Sequence, residues 1–340
     1  MIKSKSKGNG FTLIEMLVSI LIIGVLALLI IPAVQSSRES ARRALCLSRM
    51  KQISAAIANF ESSNRHLPTL LTGFVIDSRH WFGNTTLSLH YQILPFLEQS
   101  VLFNSVNYQP NDKNSFFYNS APNRTALNTR VENFLCPSDT PFGSPNNNYR
   151  ANLGSEPFSS EDTENIGVHG GGGPFRIVLN TTYSDVKDGL SRTAGVSERV
   201  VGNGNKDKFI RSRDFWYSNI GSMNPRMTSD RLSEICGLAP PRPLGIHSRF
   251  GAYWLSGYRS FTIYDHVLPP NSQSPDCTSG SFSNSLETYT TAAIAARSYH
   301  VGGVHIGFMD GSVRFISDSI NINTWRALGT RNGDEQMTEF

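Results

Sequence analysis

The chain has 340 residues, of which 39% are hydrophobic and 17% charged, and its formal net charge is +4. This length can bury a sizeable core, and ordinary glycine and proline usage excludes collagen-like and low-complexity chains. The balance of 31 basic against 27 acidic residues is too even for a nucleic-acid-binding protein. Four cysteines exclude a disulfide-rich miniprotein.

The N-terminus contains the one segment of membrane-spanning length. Lys3, Lys5 and Lys7 precede an apolar stretch over residues 11–32, in which Glu15 is the only charge. As a helix this stretch spans about 33 Å, enough to cross a hydrocarbon core of about 30 Å. A cleaved signal peptide would have a shorter apolar core, and neither it nor a plain signal anchor explains Glu15.

The same segment resembles the leader and N-terminal helix of type IV pilins and type II secretion pseudopilins. The matching residues are Gly10, Phe11, Glu15, Gly24 and Pro32. The resemblance implies that a prepilin peptidase/methyltransferase cuts between Gly10 and Phe11 and that Phe11 is then N-methylated. It also implies a single-pass protein of the inner (cytoplasmic) membrane. The leader, residues 1–10, would be cytoplasmic, and the rest of the chain would face the periplasm or the cell surface.

Glu15 and Pro32 are unusual residues for a membrane-spanning helix, and each needs a physical explanation. An ionisable side chain inside a bilayer costs roughly 2.5–3.5 kcal/mol or more and normally needs a partner. The resemblance implies that Glu15 pairs with the amino group of Phe11 in a neighbouring pilin-like subunit during assembly. Pro32 lacks an amide hydrogen and clashes with the carbonyl of Leu28, so we expect a kink or local melting there. An ordinary proline at the membrane exit is the alternative.

Helical character continues to about residue 62, without glycine or proline. One apolar stripe recurs at helical spacing in this part of the chain: Cys46, Met50, Ile53, Ile57 and Phe60. The sequence predicts a single helix, with residues 11–34 in the membrane or filament core and residues 35–62 outside it. We expect the stripe to pack on a globular head, residues 63–340. A coiled-coil partner is the alternative.

The head is rich in Asn, Ser, Thr, Gly and aromatic residues, with turn dipeptides between short apolar runs. This pattern favours β-strands. One further helix is expected over residues 88–104, although Pro95 lies inside it. The predicted fold class is therefore α+β, with the long N-terminal helix packed on a large, mainly antiparallel β head of pilin-like layout.

The sharpest local pattern predicts a hairpin at about residues 304–317. Asp310-Gly311 lies between two alternating runs and favours a two-residue type I′ turn, in which both turn residues have positive φ. The register that this turn would set is the following: Phe308 with Val313 and Ile306 with Phe315 on one face, Gly307 with Arg314 and His305 with Ile316 on the other.

The head also resembles a large family of prepilin-like proteins with a domain of unknown function (DUF1559). His300, nine further residues and then Asp310-Gly311 match the H-X9-DG signature of that family. Similar segments occur in family order around these residues: Cys46, Pro95, Cys136, Tyr149, Asp188, Glu198 and Asn271. Leu190 and Arg192 depart from the family's usual pattern. The resemblance implies a class of protein without implying a reaction.

An even number of cysteines in an exported head favours two disulfides, for which three pairings are possible. Cys46 and Cys136 both lie in the family-like segments. The resemblance therefore favours a Cys46–Cys136 bond, which would join the helix to the head and leave Cys236 to pair with Cys277.

Two groups of residues in the sequence have side chains of the types that bind metal ions. His300, His305 and Asp310 are conceivable metal ligands, but Asp310 in a turn and a structural hydrogen bond from His300 explain them without a metal. Asp185 and Asp188 offer oxygen ligands for Ca²⁺, as does the acidic run at residues 161–165, yet neither has EF-hand spacing. Calcium is thus the one cofactor considered, and none is expected.

No enzymatic activity is expected. The run of four glycines after His169 resembles an esterase oxyanion loop, but the chain contains no Gly-x-Ser-x-Gly elbow. A flexible loop is the better interpretation of this run.

The sequence thus predicts a membrane-anchored pilin- or pseudopilin-like surface or envelope protein. It would be cleaved by a prepilin peptidase and assembled with other pilin-like subunits into a pilus, pseudopilus or secretion apparatus. The alternative is a tethered binding module that uses the anchor only for export and captures a solute, glycan or envelope component. A concave pocket lined by aromatic residues such as Trp81, Trp216 or Trp254 would favour the alternative.

Overall fold

The computed structural model describes residues 12–72, 87–107, 123–139, 143, 146–157, 171–177, 180–205, 207–217, 227–238, 246–278 and 291–333. The helices among them are α1 (Leu13–Asn64), α2 (Leu89–Ile93), α3 (Ser100–Ser105), α4 (Arg124–Asn128), α5 (Ser229–Gly237), α6 (Arg259–Thr262) and α7 (Ile322–Gly329). The strands are β1 (Leu71–Thr72), β2 (Leu87–Ser88), β3 (Tyr149–Asn152), β4 (Ala194–Glu198), β5 (Phe215–Tyr217), β6 (Ile246–His247), β7 (Ile263–Tyr264), β8 (Asp276–Thr278), β9 (Ala292–Ala293), β10 (Gly303–Phe308) and β11 (Val313–Ser317).

The chain divides into two units, Met1–Ala44 and Leu45–Phe340. In the first unit, α1 begins with reciprocal capping hydrogen bonds. The Thr12 amide donates to Glu15 Oε2 at 2.8 Å, and the Glu15 amide donates to Thr12 Oγ1 at 3.4 Å. The helix continues through Pro32, so the expected local melting is not found.

Among the described residues, α1 is the one helix that is long and apolar enough to cross a membrane. Its large apolar side chains between Leu13 and Val34 are exposed. An exposed apolar surface of this length requires a lipid or protein environment.

In the second unit, residues 45–64 of α1 belong to the core of the head. All five residues of the predicted stripe, from Cys46 to Phe60, are buried, and they share one apolar cluster with Tyr149 of β3 and Val196 of β4. The stripe therefore packs on the head, as expected. The five residues share one buried face of the helix because residues three and four positions apart lie on the same side of a helix.

A five-stranded sheet with the order β11-β10-β4-β3-β7 forms the centre of the head. Its neighbouring strands are antiparallel except for β3 and β7, which are parallel. On the other side of β10 from α1, Val304 and Ile306 join Trp325 and Leu328 of α7 in a second cluster. A four-stranded sheet, β6-β5-β8-β9, packs with α5 around a third cluster. The predicted α+β class with a mainly antiparallel β head is confirmed.

The C-terminal hairpin is present, but its predicted register is wrong by one residue. β10 and β11 pair Gly307 with Val313, Ile306 with Arg314 and His305 with Phe315. The Phe308 amide donates to Ser312 O at 2.8 Å, which makes the loop three residues long.

The reason is the geometry of the turn. Within the loop only Gly311 has positive φ, at 85°, which is typical of a three-residue hairpin loop that ends in a left-handed glycine. Asp310 Oδ1 instead accepts a hydrogen bond from the Ser312 amide at 2.9 Å. The predicted role of Asp310 in turn geometry therefore agrees with the structure, although the turn type does not.

The helix expected over residues 88–104 is divided into three short elements. α2 is followed by a 3₁₀ turn, Leu94–Leu97, and then by α3. Pro95 lies in the first turn of the 3₁₀ segment, where its missing amide costs no hydrogen bond. Glu98, with φ of 59°, then ends the segment in the left-handed region.

Candidate functional site

A buried carboxylate with two histidines lies where β4 and β10 meet. Glu198 is the last residue of β4, and its Oε1 lies 3.1 Å from Nδ1 of His305 on β10. The same oxygen lies 3.2 Å from Nε2 of His300, in the loop before β10. Glu198 Oε2 accepts the His305 backbone amide at 2.8 Å. We call Glu198, His300 and His305 the Glu198 cluster.

The electrostatics of the cluster favour an ionised carboxylate. Burial acts to raise the pKa of Glu198, but hydrogen bonds from His300 and His305 outweigh it and hold that pKa below its ordinary value. For both histidines to donate, the proton must lie on Nδ1 of His305 and on Nε2 of His300. All three side chains are almost completely removed from solvent.

A disulfide lies against this cluster. Cys46 of α1 is bonded to Cys136 with a Cα–Cα distance of 5.0 Å, and Cys136 Sγ lies 3.7 Å from His300 Nε2. Cys236 of α5 is bonded to Cys277 of β8. This is the pairing that the family resemblance favoured, and the first bond ties α1 to the head.

Cys46, Cys136, Glu198 and His300 are the residues that could hold a metal ion in the described part of the chain, with ligand atoms within 4.8 Å of one another. Both sulfurs belong to the disulfide, however, which leaves one carboxylate and one histidine as ligands. His300, His305 and Asp310, the candidate metal ligands from the sequence, do not form one site. Asp310 is exposed in its turn, whereas both histidines are buried.

A second buried ion network fixes the other side of the same loop. Asp276 Oδ2 accepts from Nη2 of Arg199 at 2.8 Å, and Asp276 Oδ1 accepts from Nη2 of Arg297 at 2.9 Å. Burial acts to raise the pKa of Asp276, but the two guanidinium groups outweigh it and lower that pKa. This network was not predicted from the sequence. The available signals were the positions of Arg199 directly after Glu198 and of Arg297 three residues before His300.

The residues considered for calcium have structural partners. Asp185 Oδ2 accepts from the Thr182 amide and hydroxyl, both at 2.8 Å, in a capping box of the 3₁₀ turn Tyr183–Asp185. Asp188 accepts from the Thr330 hydroxyl at 3.0 Å and from the Gly333 amide. The expectation that this pair holds no calcium stays a prediction.

Two tryptophans considered as pocket residues belong to the core instead. Trp254 is fully buried and donates from Nε1 to the Thr129 carbonyl at 2.8 Å, and Trp216 is buried near α5. Gly10, Phe11, Trp81, His169 and the acidic run at 161–165 lie outside the described residues.

Comparison with known proteins assigns the family. Residues 35–323 match the family described as "Protein of unknown function (DUF1559)". The chain belongs to this family. Residues 5–31 also match the prokaryotic N-terminal methylation motif, which covers Gly10, Phe11, Glu15 and Gly24 and ends one residue before Pro32.

Two curated relatives have similar N-terminal regions. The chain is 35% identical over 71 residues to the type II secretion system core protein G of Escherichia coli, which is 21% of this chain and 49% of that protein. It is also 35% identical over 65 residues to the protein of the same name from Pseudomonas aeruginosa, which is 19% of this chain and 46% of that protein. The chain thus spans about half the length of the curated relatives it matches. No solved structure gives a significant match.

The DUF1559-like segments converge on the Glu198 cluster. Cys46, Cys136, Glu198 and His300 come from four distant segments, yet their polar atoms lie within 4.8 Å of one another. Tyr149, from a fifth segment, donates its hydroxyl to the Cys46 carbonyl at 3.0 Å. Burial of the whole set indicates that it fixes α1 and the loop around His300 on the sheet, because it offers no surface to a substrate.

A groove open to solvent lies on the other side of that loop. It has a volume of about 530 Å³, and the loop residues Arg297, Ser298 and Tyr299 form part of its wall. Asn271, from another DUF1559-like segment, lies in the same wall and accepts the Ser298 amide at 2.8 Å. The groove is therefore an accessible feature next to the family's characteristic residues.

Proposed function

We propose that this chain is a pilin-like subunit anchored in a membrane by α1 and incorporated into a pilus, pseudopilus or secretion apparatus. A prepilin peptidase would cut between Gly10 and Phe11, and residues 1–10 would stay on the cytoplasmic side. The observation that carries the proposal is the methylation motif at the start of an exposed, membrane-length apolar helix. The similarity to two type II secretion core proteins supports the same class, and we assign no reaction to the chain.

Glu15 is the residue on which assembly would depend. Within the chain its carboxylate accepts hydrogen bonds from the amide and hydroxyl of Thr12, both at 2.8 Å. In a filament, the α-amino group of Phe11 in a neighbouring subunit would supply the opposite charge that a carboxylate needs in an apolar environment.

The experiment compares Glu15→Val with Glu39→Gln in the native host. Glu39 is a half-exposed acidic residue of the same helix beyond the apolar stretch, and its carboxylate lies 3.6 Å from Arg42. Both variants should insert into the membrane. Glu15→Val should disappear from the sheared filament fraction, whereas Glu39→Gln should remain there. Incorporation of Glu15→Val at the wild-type level would contradict the pairing.

A tethered binding module is the second candidate function. The observation that favours it is the polar groove beside Tyr299, because a filament wall needs no such feature. Fractionation of native envelopes separates the two functions. A filament subunit should be found in high-molecular-weight surface assemblies, and a tethered module should be found as separate membrane-bound copies.

A further inference from the structure

Hydrogen bonds and an ion pair within the protein hold part of the groove wall in place. The Arg297 guanidinium is 3% exposed and binds Asp276. Asn271 donates to Asp318 Oδ1 at 2.8 Å, and the Ser298 hydroxyl donates to the Gly303 carbonyl at 2.7 Å. A site with fixed walls loses little conformational entropy when a ligand binds.

Other side chains of the groove are available to a ligand. Arg211, Ser212 and Gln273 line it and are exposed, and in the described part of the chain their side chains have no hydrogen-bond or ion-pair partner. They offer a guanidinium, a hydroxyl and an amide, which are groups that bind carboxylates and sugar hydroxyls.

Tyr299 adds an aromatic surface. Its side chain is 47% exposed, and the Arg213 guanidinium carbon lies 5.7 Å from the ring centroid. Arg213 is itself anchored by Asp139 at 2.9 Å, so the ring has a fixed neighbour. A half-exposed ring of this kind presents an apolar face and a polar edge to the same ligand.

We propose that this groove binds an acidic saccharide. The Arg211 guanidinium would pair with a carboxylate on the sugar, the Tyr299 ring would pack against a sugar face, and Ser212 and Gln273 would bind hydroxyl groups. Among the described residues, no acidic side chain lines the groove, and the buried Val200 is the one apolar side chain there apart from Tyr299. This lining opposes a cationic ligand and an apolar peptide. The proposal gives a ligand class to the tethered-module function and rests on that function, but it does not depend on filament assembly.

Isothermal titration of the full-length protein in detergent micelles tests the proposal with three probes: trigalacturonate, neutral maltotriose and acetate. Trigalacturonate should bind, and the other two should bind at least about tenfold more weakly because each lacks part of the recognised chemistry. The readout is independent of filament formation, so a negative result here leaves the filament role intact.

Variants locate the site. Arg211→Gln and Tyr299→Ala should each weaken trigalacturonate binding by about tenfold. Arg124→Gln removes the same charge from an exposed arginine of α4 outside the groove and should bind like the wild type. Absence of trigalacturonate binding, equal binding of maltotriose or acetate, or equal weakening by Arg124→Gln would overturn the proposal.

Discussion

Gly307 of β10 faces Ser54 of α1 so closely that a Cβ atom at position 307 would lie 2.5 Å from Ser54 Oγ. The same atom would lie 3.4 Å from Met50 Cγ. The approach of the helix to the sheet thus depends on the absence of a side chain at this strand position. Ser54 Oγ itself is buried and has no hydrogen-bond partner within the described part of the chain.

Gly307→Ala should therefore destabilise the head by about 1–3 kcal/mol, because the added methyl group overpacks the helix–sheet contact. Urea unfolding followed by tryptophan fluorescence measures the change. Ser54→Ala removes the clashing oxygen, so it should be nearly neutral alone and should recover much of the loss in the double variant. Additive effects of the two substitutions would contradict this account of the contact.

Glu198→Gln tests the buried cluster. The substitution removes the charge that His300 and His305 face, and it should cost about 1.5–3 kcal/mol of unfolding free energy, since hydrogen bonds to a charged group are lost. Glu234→Gln is the control, because Glu234 forms an exposed ion pair with Arg231 at 2.8 Å and should change stability by less than about 0.5 kcal/mol.

The pH dependence of Glu198→Gln gives a second readout. The folded-state pKa of Glu198 is lowered, so its contribution to stability is present above the ordinary glutamate pKa and is lost as pH falls through the folded value. The difference in unfolding free energy between wild type and variant should therefore shrink below about pH 4.5. A difference that stays constant from pH 7 to pH 3 would contradict an ionised Glu198.

His90 should contribute an acid-sensitive part of the stability. Burial lowers its pKa to about 4, although its Nε2 donates to the Tyr149 carbonyl at 2.7 Å. Its ordinary pKa is about 6.5. Between these values the unfolded chain takes up a proton that the folded chain does not, so stability is full above about pH 6.5 and falls by about 1.4 kcal/mol per pH unit toward pH 4.

His90→Gln should remove this slope, because glutamine does not titrate. Subtracting the variant's unfolding free energy from that of the wild type at each pH cancels the contribution of the other titrating groups. A difference that does not vary between pH 6.5 and pH 4 would show that His90 is not buried in its neutral form.

The two disulfides should differ in their contribution to stability. They close loops of 90 and 41 residues, and the longer loop should stabilise by about 0.7 kcal/mol more if restriction of the unfolded chain dominates. Cys46→Ala/Cys136→Ala should therefore lower the unfolding free energy more than Cys236→Ala/Cys277→Ala, within a range of about 2–5 kcal/mol for each. The reverse order in urea unfolding would contradict the loop argument.

Local sequence patterns predicted the elements that depend on local physics. The apolar stretch and the stripe through Met50 and Phe60 indicate α1 because helical periodicity is visible in the sequence. Asp310-Gly311 correctly marks the hairpin. Its register could not be predicted, because the same dipeptide fits a two-residue loop and the last two positions of a three-residue loop. A shift of one residue then changes every cross-strand pair.

Contacts between distant segments were harder to predict. Glu198 and His305 are 107 positions apart, and they meet only through the pairing of β4 with β10. Arg199, Asp276 and Arg297 also come from distant parts of the chain. Composition indicated a polar head without showing where its polar groups would meet, so the groove beside Tyr299 could not be located from the sequence.

Maturation as a pilin-like subunit can be tested by mass spectrometry of the N-terminus of the protein isolated from its native envelope. We expect a chain that begins at N-methylated Phe11, without residues 1–10. A chain that retains Met1, or one that is cleaved well after Pro32, would contradict it.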